Sequence, residues 1–248
     1  MQTLCIEAPY IHEIKLSDDV LSYLEKQQVK TVALFASVQF MKLDIVKEQL
    51  DNLKITYKTT KAKRTHTQGQ ILGCDAYHDS FEDDIISECD CVLYVGDGYF
   101  HPKALLLSQI YKKDIKDVIL WNPVLQKMEI ISVADIKKQI LKTKANLTRF
   151  VSAKSVGILV TVKPGQQYLK NAKRLAQQLK EQGKRAYIFV DDDIQISLLE
   201  NYPFIDCWVN TACPRIGTDD ITTIPTALIN IREAWDPIKH LSQLHQTR

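Results

Sequence analysis

The chain lacks several features that would assign it to a class at once. No apolar run in its 248 residues is long enough to span a bilayer, and its start lacks the basic and apolar parts of a secretory signal. The six cysteines have no regular close spacing, so they do not predict a disulfide framework. The formal net charge is only +2, which provides no global basic field for binding nucleic acid. These absences favour a cytoplasmic protein that neither enters a membrane nor binds nucleic acid directly.

What the chain does have is a regular alternation of strand-like and helix-like segments. Hydrophobic residues make up 45% of the sequence and charged residues 25%, which suits one large domain or two modest ones. Continuous apolar runs predict buried strands, and apolar residues that recur every three or four positions predict amphipathic helices. The predicted strands are 28–38, 53–59, 91–95, 117–121, 127–133, 155–162, 185–190 and 206–211, and the predicted helices include 40–50, 134–149, 168–182 and 194–200. This order predicts an α/β fold with parallel sheets.

The two halves of the sequence also resemble each other. Residues 90–98 (DCVLYVGDG) line up with residues 206–214 (DCWVNTACP), each as an Asp-Cys pair that enters an apolar strand. We therefore predict two similar βαβ-type domains, 29–152 and 153–248, with ligand sites at the carboxyl ends of their strands.

The alignment of the halves divides the cysteines into two groups. Cys91 and Cys207 match each other inside apolar strands, and Cys5 lies in another strand-like run, so all three are expected to be packing residues. Cys74 and Cys213 lie instead among small, turn-forming residues beside a strand, where a ligand or metal can reach them. Their wide separation does not by itself indicate a metal site, because zinc and cluster motifs are normally closely spaced.

Four stretches of the chain, in order, resemble one family. They are 69–74 (GQILGC), 94–102 (YVGDGYFHP), 157–166 (GILVTVKPGQ) and 211–216 (TACPRI). The sequence is similar here to the diphthamide synthesis family, the 2-(3-amino-3-carboxypropyl)histidine synthases. The resemblance implies three similar domains, each giving one cysteine to a 4Fe-4S cluster. It also implies a non-standard radical S-adenosylmethionine enzyme, in which cleavage of the cofactor's Cγ–S bond yields a 3-amino-3-carboxypropyl radical. The implied acceptor is a histidine of translation elongation factor 2.

By this resemblance, Cys74 and Cys213 match the cluster ligands of the family's second and third domains. Three thiolates would leave one iron open for substrate. The first domain has no counterpart beyond residues 1–28, which look like its remnant, and Cys5 does not match its cysteine motif. Three interpretations stay open: a partner polypeptide completes the cluster, two thiolates hold it with another ligand, or the chain has lost the cluster.

The resemblance also implies a set of residues around the cofactor, while no residue is assigned a catalytic role. They are Gln70, Gly96, Gly98, Phe100, His101, Lys163 and Arg215. Each has a structural alternative. His101 could simply begin a helix, the two glycines could serve a tight turn, and Gln70 and Lys163 could be satisfied by their own turns. Arg215 could bind the carboxylate of the methionine moiety with its planar guanidinium, or pair with Asp219 or Asp220.

The sequence thus leads to one hypothesis and two alternatives. The hypothesis is a 4Fe-4S aminocarboxypropyl transferase, or a subunit of one, that works with an electron donor as a homodimer or with a partner subunit supplying the missing domain. The first alternative is a non-catalytic partner or scaffold subunit. The second is transfer of the same group to a different acceptor.

Overall fold

The computed structural model describes residues 8–244, so Cys5 and His245 lie outside the described residues. The chain divides into two compact units. The first contains the described residues up to Gln109 together with Asp114–Asp135, and the second contains Ile110–Lys113 and the described residues from Ile136 onward. No helix within residues 8–244 combines the length and apolar character needed to cross a membrane.

The first unit is built on a five-stranded sheet. Its strands are β1 (Thr31–Ala36), β2 (Thr56–Lys58), β3 (Cys91–Val95), β4 (Val118–Asn122) and β5 (Lys127–Ile131), and its helices are α1 (Asp18–Lys26), α2 (Asp44–Asn52) and α3 (Phe100–Leu107). The strand order is β2-β1-β3-β4-β5, and all neighbours are parallel except β4 and β5. The antiparallel pair is a hairpin, because the short 123–126 connection cannot make a parallel crossover.

The second unit is built on a four-stranded, all-parallel sheet. Its elements are α4 (Lys137–Ser152), β6 (Ser155–Thr161), α5 (Leu169–Glu181), β7 (Arg185–Asp191), β8 (Cys207–Asn210), β9 (Leu228–Asn230), α6 (Ile231–Trp235) and α7 (Pro237–Leu244). The strand order is β7-β6-β8-β9. The prediction of two similar βαβ-type units with parallel sheets is therefore confirmed, except that β5 pairs antiparallel with β4.

The internal repeat extends to the register of the strands. The order β2-β1-β3-β4 in the first unit corresponds to β7-β6-β8-β9 in the second. Val32 pairs with Cys91 in one sheet and Val156 pairs with Cys207 in the other. Both cysteines are buried, at 8% and 0% exposure, as predicted for packing residues. Burial raises the pKa of each thiol to about 12, so neither is a reactive thiolate.

The aspartate before each of these cysteines explains why the Asp-Cys pair is repeated. The Asp90 carboxylate accepts hydrogen bonds from the backbone N–H groups of residues 30 and 31, at 2.8–2.9 Å. The Asp206 carboxylate accepts the equivalent bonds from residues 154 and 155, both at 2.9 Å. These backbone donors lower the pKa of both carboxyl groups below the ordinary value. Each aspartate thus ties the start of the central strand of its unit to the strand beside it.

Some local features differ from the sequence-based expectations. The segment expected as one helix over 40–50 forms a 3-10 turn at Val38–Phe40 and then α2, and the segment expected as a helix over 194–200 forms a 3-10 turn at Ile196–Asn201. Helix α1, in the region interpreted as a domain remnant, packs Val20 and Leu24 into the core of the first unit. The apolar stripe of α1 makes it part of that core.

Helix α4 also lies on the other side of the boundary expected from the sequence. Residues 137–152 were assigned to the first domain, whereas the compact units divide between Asp135 and Ile136. The reason is packing within the second unit, where α4 contacts α7, β8 and β9. The buried Asn146 side chain donates to the Leu228 carbonyl at 2.7 Å, which fixes α4 to β9.

Candidate functional site

Cys74 lies at the centre of a closed turn in the first unit. The Asp75 N–H donates to the Leu72 carbonyl at 3.0 Å, and the Leu72 N–H donates to the Asp75 carboxylate at 2.8 Å. These two bonds leave Gly73 and Cys74 as the central residues of the turn. Cys74 is half-buried, so it is not enclosed in the core and a ligand can reach it.

The turn stands at the carboxyl end of β1. The Ala36 N–H donates to the Gly69 carbonyl at 2.9 Å, and the Ile71 N–H donates to the Ala36 carbonyl at 3.1 Å. Gln70, between them, forms an isolated parallel bridge with Ala36 and is buried. The segment before Cys74 is therefore tied to the edge of the sheet where parallel α/β units bind ligands.

A positive charge lies beside Cys74. The Arg64 Nη1 atom is 3.7 Å from the Cys74 sulfur. A nearby cation favours the thiolate, which is the form of cysteine that binds metals. The neighbouring Asp75 is 2% exposed, and burial raises the pKa of its carboxyl group, although the Leu72 N–H and the Arg64 charge oppose that shift.

The loop after β3 brings an aromatic side chain to the same turn. Phe100 is 51% exposed, and its ring covers Gly73 so closely that a Cβ atom at position 73 would overlap it. Gly98 has a φ of +60°, a conformation that glycine adopts without strain. The loop therefore needs Gly98 for its path and Gly73 for the approach of Phe100.

The rings of Tyr94 and His101, which lie before and after this loop in the sequence, stack on each other. Their ring centroids are 6.3 Å apart and the rings are inclined by 16°. The Tyr94 ring is fully buried, and burial raises the pKa of its hydroxyl above the ordinary value. The Tyr94 and Ser37 hydroxyl groups are buried and make no hydrogen bond of normal geometry within residues 8–244. Gly96 is required because any side chain there would overlap the Tyr94 ring.

In the second unit, Cys213 lies in a turn that two buried asparagines hold. The Asn210 side chain at the end of β8 donates to the Cys213 carbonyl at 2.8 Å and to Asn230 Oδ1 at 2.7 Å. The Asn230 side chain at the end of β9 donates in turn to the Pro214 carbonyl at 2.8 Å. Gly217 lets the turn fold over Asn230, because a Cβ at that position would overlap the amide. Cys213 itself is half-buried.

Arg215 and Lys163, two further predicted site residues of the second unit, have acidic partners. Arg215 is 4% exposed and forms an ion pair with Asp219, which is the structural alternative that the sequence left open. Lys163 forms an exposed ion pair with Asp193 at 2.6 Å. Lys163 also starts a turn closed by the Gln166 N–H, with Gly165 at φ +76°. Cofactor contacts by Arg215 and Lys163 stay predictions.

The structure therefore groups the predicted site residues by unit. The carboxyl ends of β1 and β3 carry Gln70, Cys74, Gly96, Gly98, Phe100 and His101, whereas the ends of β6 and β8 carry Lys163, Cys213 and Arg215. Among residues 8–244, no three His, Cys, Asp or Glu side chains are close enough together to hold a metal ion. Sequence reasoning missed Arg64, Tyr94, Asn210 and Asn230. Tyr94 and Asn210 align with each other in the repeated stretches 90–98 and 206–214, and this alignment could have identified both residues.

Comparisons with known proteins agree with this description. The family model for diphthamide synthesis proteins matches residues 6–236. The chain is 32% identical over 152 residues to the 2-(3-amino-3-carboxypropyl)histidine synthase of Pyrococcus horikoshii, a match that covers 61% of this chain and 40% of that protein. It is 27% identical over 228 residues to the protein of the same name from Methanocaldococcus jannaschii, covering 89% and 57%. The chain thus spans about half the length of the curated relatives it matches.

A solved structure has the same fold. It is the crystal structure of Dph2 from Pyrococcus horikoshii with a 4Fe-4S cluster, which matches with a TM-score of 0.67 at 24% identity. The match covers 92% of this chain and 61% of that one. At this identity the likeness supports the fold, and the family match over residues 6–236 supports the relationship. The chain therefore belongs to the diphthamide synthesis protein family.

Proposed function

We propose that the chain is a 4Fe-4S aminocarboxypropyl transferase, or a subunit of one, that uses S-adenosylmethionine to modify a histidine of translation elongation factor 2 in the cytoplasm. Family membership and the names of the relatives support the reaction class. The observation that carries the proposal is that, within residues 8–244, each unit has one half-buried cysteine, in a closed turn at the carboxyl ends of parallel strands.

Cys74 and Cys213 are suitable as two of the ligands of a cluster. Cys74 and Cys213 would each supply one thiolate, and Arg64 provides a cation beside the first. When bound, such a cluster supplies the electron that cleaves the cofactor's Cγ–S bond. Phe100 and His101 would line the cofactor side of the Cys74 turn, where the Phe100 ring covers the backbone at Gly73 and contacts the His101 ring.

Further cofactor contacts complete the proposal. Gln70, Gly96 and Gly98 would line the cofactor from the ends of β1 and β3, and Lys163 and Arg215 from the second unit. Arg215 would contribute positive charge while Asp219 holds its guanidinium in place. These contacts rest on the resemblance to the family and on the placement of the residues at strand ends.

Two thiolates leave the ligand set incomplete. We propose that a partner subunit, or a second copy of the chain, completes the cluster, and that a separate electron donor reduces it. Binding by two thiolates with another ligand is the alternative for the cluster. The chain spans about half the length of its relatives, so we propose their activity for this chain and do not take it from their names.

Metal analysis of the full chain tests the proposal. Protein purified and reconstituted without air should contain iron and sulfide and show the absorption and EPR signals of a 4Fe-4S cluster. Cys74→Ala and Cys213→Ala should each lose most of the iron. Cys207→Ala is the matched control, because this buried cysteine lies only six residues before Cys213 and should leave the iron content unchanged.

The alternatives give different results. A chain that gains no iron, or whose iron is unaffected by either variant, would contradict the cluster and leave a non-catalytic partner or scaffold subunit. A cluster-bearing chain that forms methylthioadenosine without modifying elongation factor 2 would indicate a different acceptor.

A further inference from the structure

Helices α4 and α5 belong to a stretch of the chain whose charge is almost entirely positive. Residues 137–185 contain thirteen lysines and arginines and a single acidic residue, Glu181. The formal charge of the whole chain is only +2, so the remaining residues are net negative. The expectation that the chain does not bind nucleic acid rested on this whole-chain charge, which averages over the two regions. A basic patch on one face indicates a partner more directly than net charge does.

The two helices lie side by side on one face of the second unit's sheet. Helix α4 contacts β8 and β9, α5 contacts β6 and β7, and both helices contact α6. Lys184, which follows α5, donates to the carbonyls of Phe150 and Val151 at the end of α4, so the two C-terminal ends are adjacent. Helix α4 has sixteen residues, which makes it about 24 Å long. We call the outer surface of this pair of helices the α4–α5 face.

Seven lysines of this face form no ion pair within residues 8–244, and none of them is buried. They are Lys137, Lys138, Lys142 and Lys144 on α4 and Lys170, Lys173 and Lys180 on α5. The arginines of the two helices have partners: Arg149 pairs with Asp206, and Arg174 lies over the Trp235 ring at 5.3 Å. The lysine ammonium groups are therefore available to an external anion.

The lysines are spread along both helices. On α4, Lys137 and Lys144 are about 10 Å apart along the helix axis, and on α5 Lys170 and Lys180 are about 15 Å apart. Double-stranded DNA carries one negative charge per about 1.7 Å of its axis, so a 15 Å segment presents about nine charges. This spread matches an extended polyanion better than it matches a single phosphate group.

The other side chains of the face favour the backbone of a nucleic-acid duplex. Proteins that bind single strands stack bases on exposed aromatic rings, whereas Phe150, the one aromatic residue of α4 and α5, is 2% exposed. Helices that lie on a membrane have a continuous apolar face, whereas Leu141 and Val151 are the only large apolar residues exposed on these two helices. Carboxylates of an acidic protein are best matched by the planar guanidinium of arginine, and both arginines are already engaged.

We propose that the α4–α5 face binds the sugar-phosphate backbone of a double-stranded nucleic acid through its seven lysines, without reading the base sequence. Contacts to phosphates fix the position of a protein on a duplex and carry no sequence information. Duplex RNA and duplex DNA both supply this chemistry, and the experiment includes both. The proposal concerns a surface of the second unit alone and does not depend on the cluster or on the transfer reaction.

The salt dependence of binding tests the proposal. Fluorescence anisotropy measures the affinity of the full chain for labelled RNA and DNA duplexes of about 20 base pairs, between about 50 and 200 mM salt. Lys138→Gln/Lys142→Gln and Lys173→Gln/Lys180→Gln should each weaken binding about tenfold or more at the lowest salt. Each double variant should also reduce the slope of log K against log salt by about 2, because each phosphate contact contributes about 0.9. Glutamine is about as good a helix former as lysine, so both helices should persist.

Lys26→Gln/Lys42→Gln is the matched control. It makes the same change of charge at two exposed lysines of the first unit and should leave affinity and slope unchanged. Whichever duplex binds more tightly identifies the source of the backbone, and either result supports the proposal. A wild-type chain that binds neither duplex, or double variants that bind as the control does, would overturn it. Equally tight binding to polyglutamate, or to phosphatidylcholine vesicles that contain phosphatidylserine, would also overturn it and assign the face to an acidic protein or a membrane surface.

Discussion

Replacing Asn230 with alanine should release the turn that carries Cys213. Asn230 is 3% exposed; it accepts a hydrogen bond from Asn210 at 2.7 Å and donates one to the Pro214 carbonyl at 2.8 Å. The variant loses both bonds, and the half-buried Pro214 carbonyl keeps only the longer bond from the Thr218 hydroxyl, at 3.3 Å. Each lost buried partner costs about 1–3 kcal/mol, so the second unit should lose about 2–4 kcal/mol of unfolding free energy. That is a large part of the roughly 5–15 kcal/mol of a typical domain.

The assay separates loss of stability from release of the turn. Urea unfolding measures the free energy, and mass spectrometry measures the alkylation rates of Cys213 and Cys74 under native conditions. The ratio of the Cys213 rate to the Cys74 rate should rise in Asn230→Ala, because only the Cys213 turn depends on this side chain. Asn122→Ala is the matched control, since Asn122 also ends a strand and caps the turn after it by accepting from the Val124 N–H at 3.0 Å.

The control should lose some stability without changing the alkylation ratio. An Asn230→Ala variant that is destabilised while its ratio equals that of the wild type would refute the reasoning. The asparagine pair would then stabilise the sheet without positioning Cys213.

Three further predictions concern packing and charge. Gly73→Ala should cost about 1–3 kcal/mol in thermal unfolding because its Cβ displaces the Phe100 ring, and Phe100→Ala in the same chain should recover most of the loss. Asp206→Asn should cost about 0.5–1 kcal/mol at pH 7, a modest value because the carboxylate is partly exposed. Since folding lowers the pKa of Asp206, this difference should persist above the ordinary carboxyl pKa and vanish as pH falls through the lowered value; a pH-independent difference would contradict it. Lys184→Met should cost about 1–3 kcal/mol in urea unfolding, because the ammonium group donates to three carbonyls of residues 150–153 at 2.6–3.3 Å; an unchanged midpoint would contradict its role as a cap.

The repeat was readable from the sequence because it has a local physical cause. The Asp-Cys pair recurs since each aspartate binds the backbone at the start of a neighbouring strand, and each cysteine begins a buried strand. Such features depend on residues close in sequence or on continuous apolar runs. The strands and the buried state of Cys91 and Cys207 were predictable for the same reason.

Other features depend on partners that are distant in sequence. Strand β9 has only three residues, and its role in holding Cys213 emerges only when Asn230 meets Asn210 across the sheet. The placement of α4 depends on contacts with β8, β9 and α7 rather than on its own pattern, which only shows that one face is apolar. The antiparallel pairing of β5 was not predicted, because the sequence analysis expected parallel sheets and strand periodicity alone does not distinguish the direction of pairing.

The repeat also shows why a shared fold does not assign a shared role to equivalent positions. Tyr94 and Asn210 occupy the same place in their sheets, since Cys91 and Cys207 begin the two strands in equivalent register. Tyr94 is a buried ring stacked on His101, whereas Asn210 is an amide that holds the Cys213 turn. The first unit carries its half-buried cysteine in the segment between β2 and β3, and the second carries its own directly after β8. Because the two cysteines are not equivalent within the repeat, duplication of the fold does not account for them, and each turn must be explained by its own contacts.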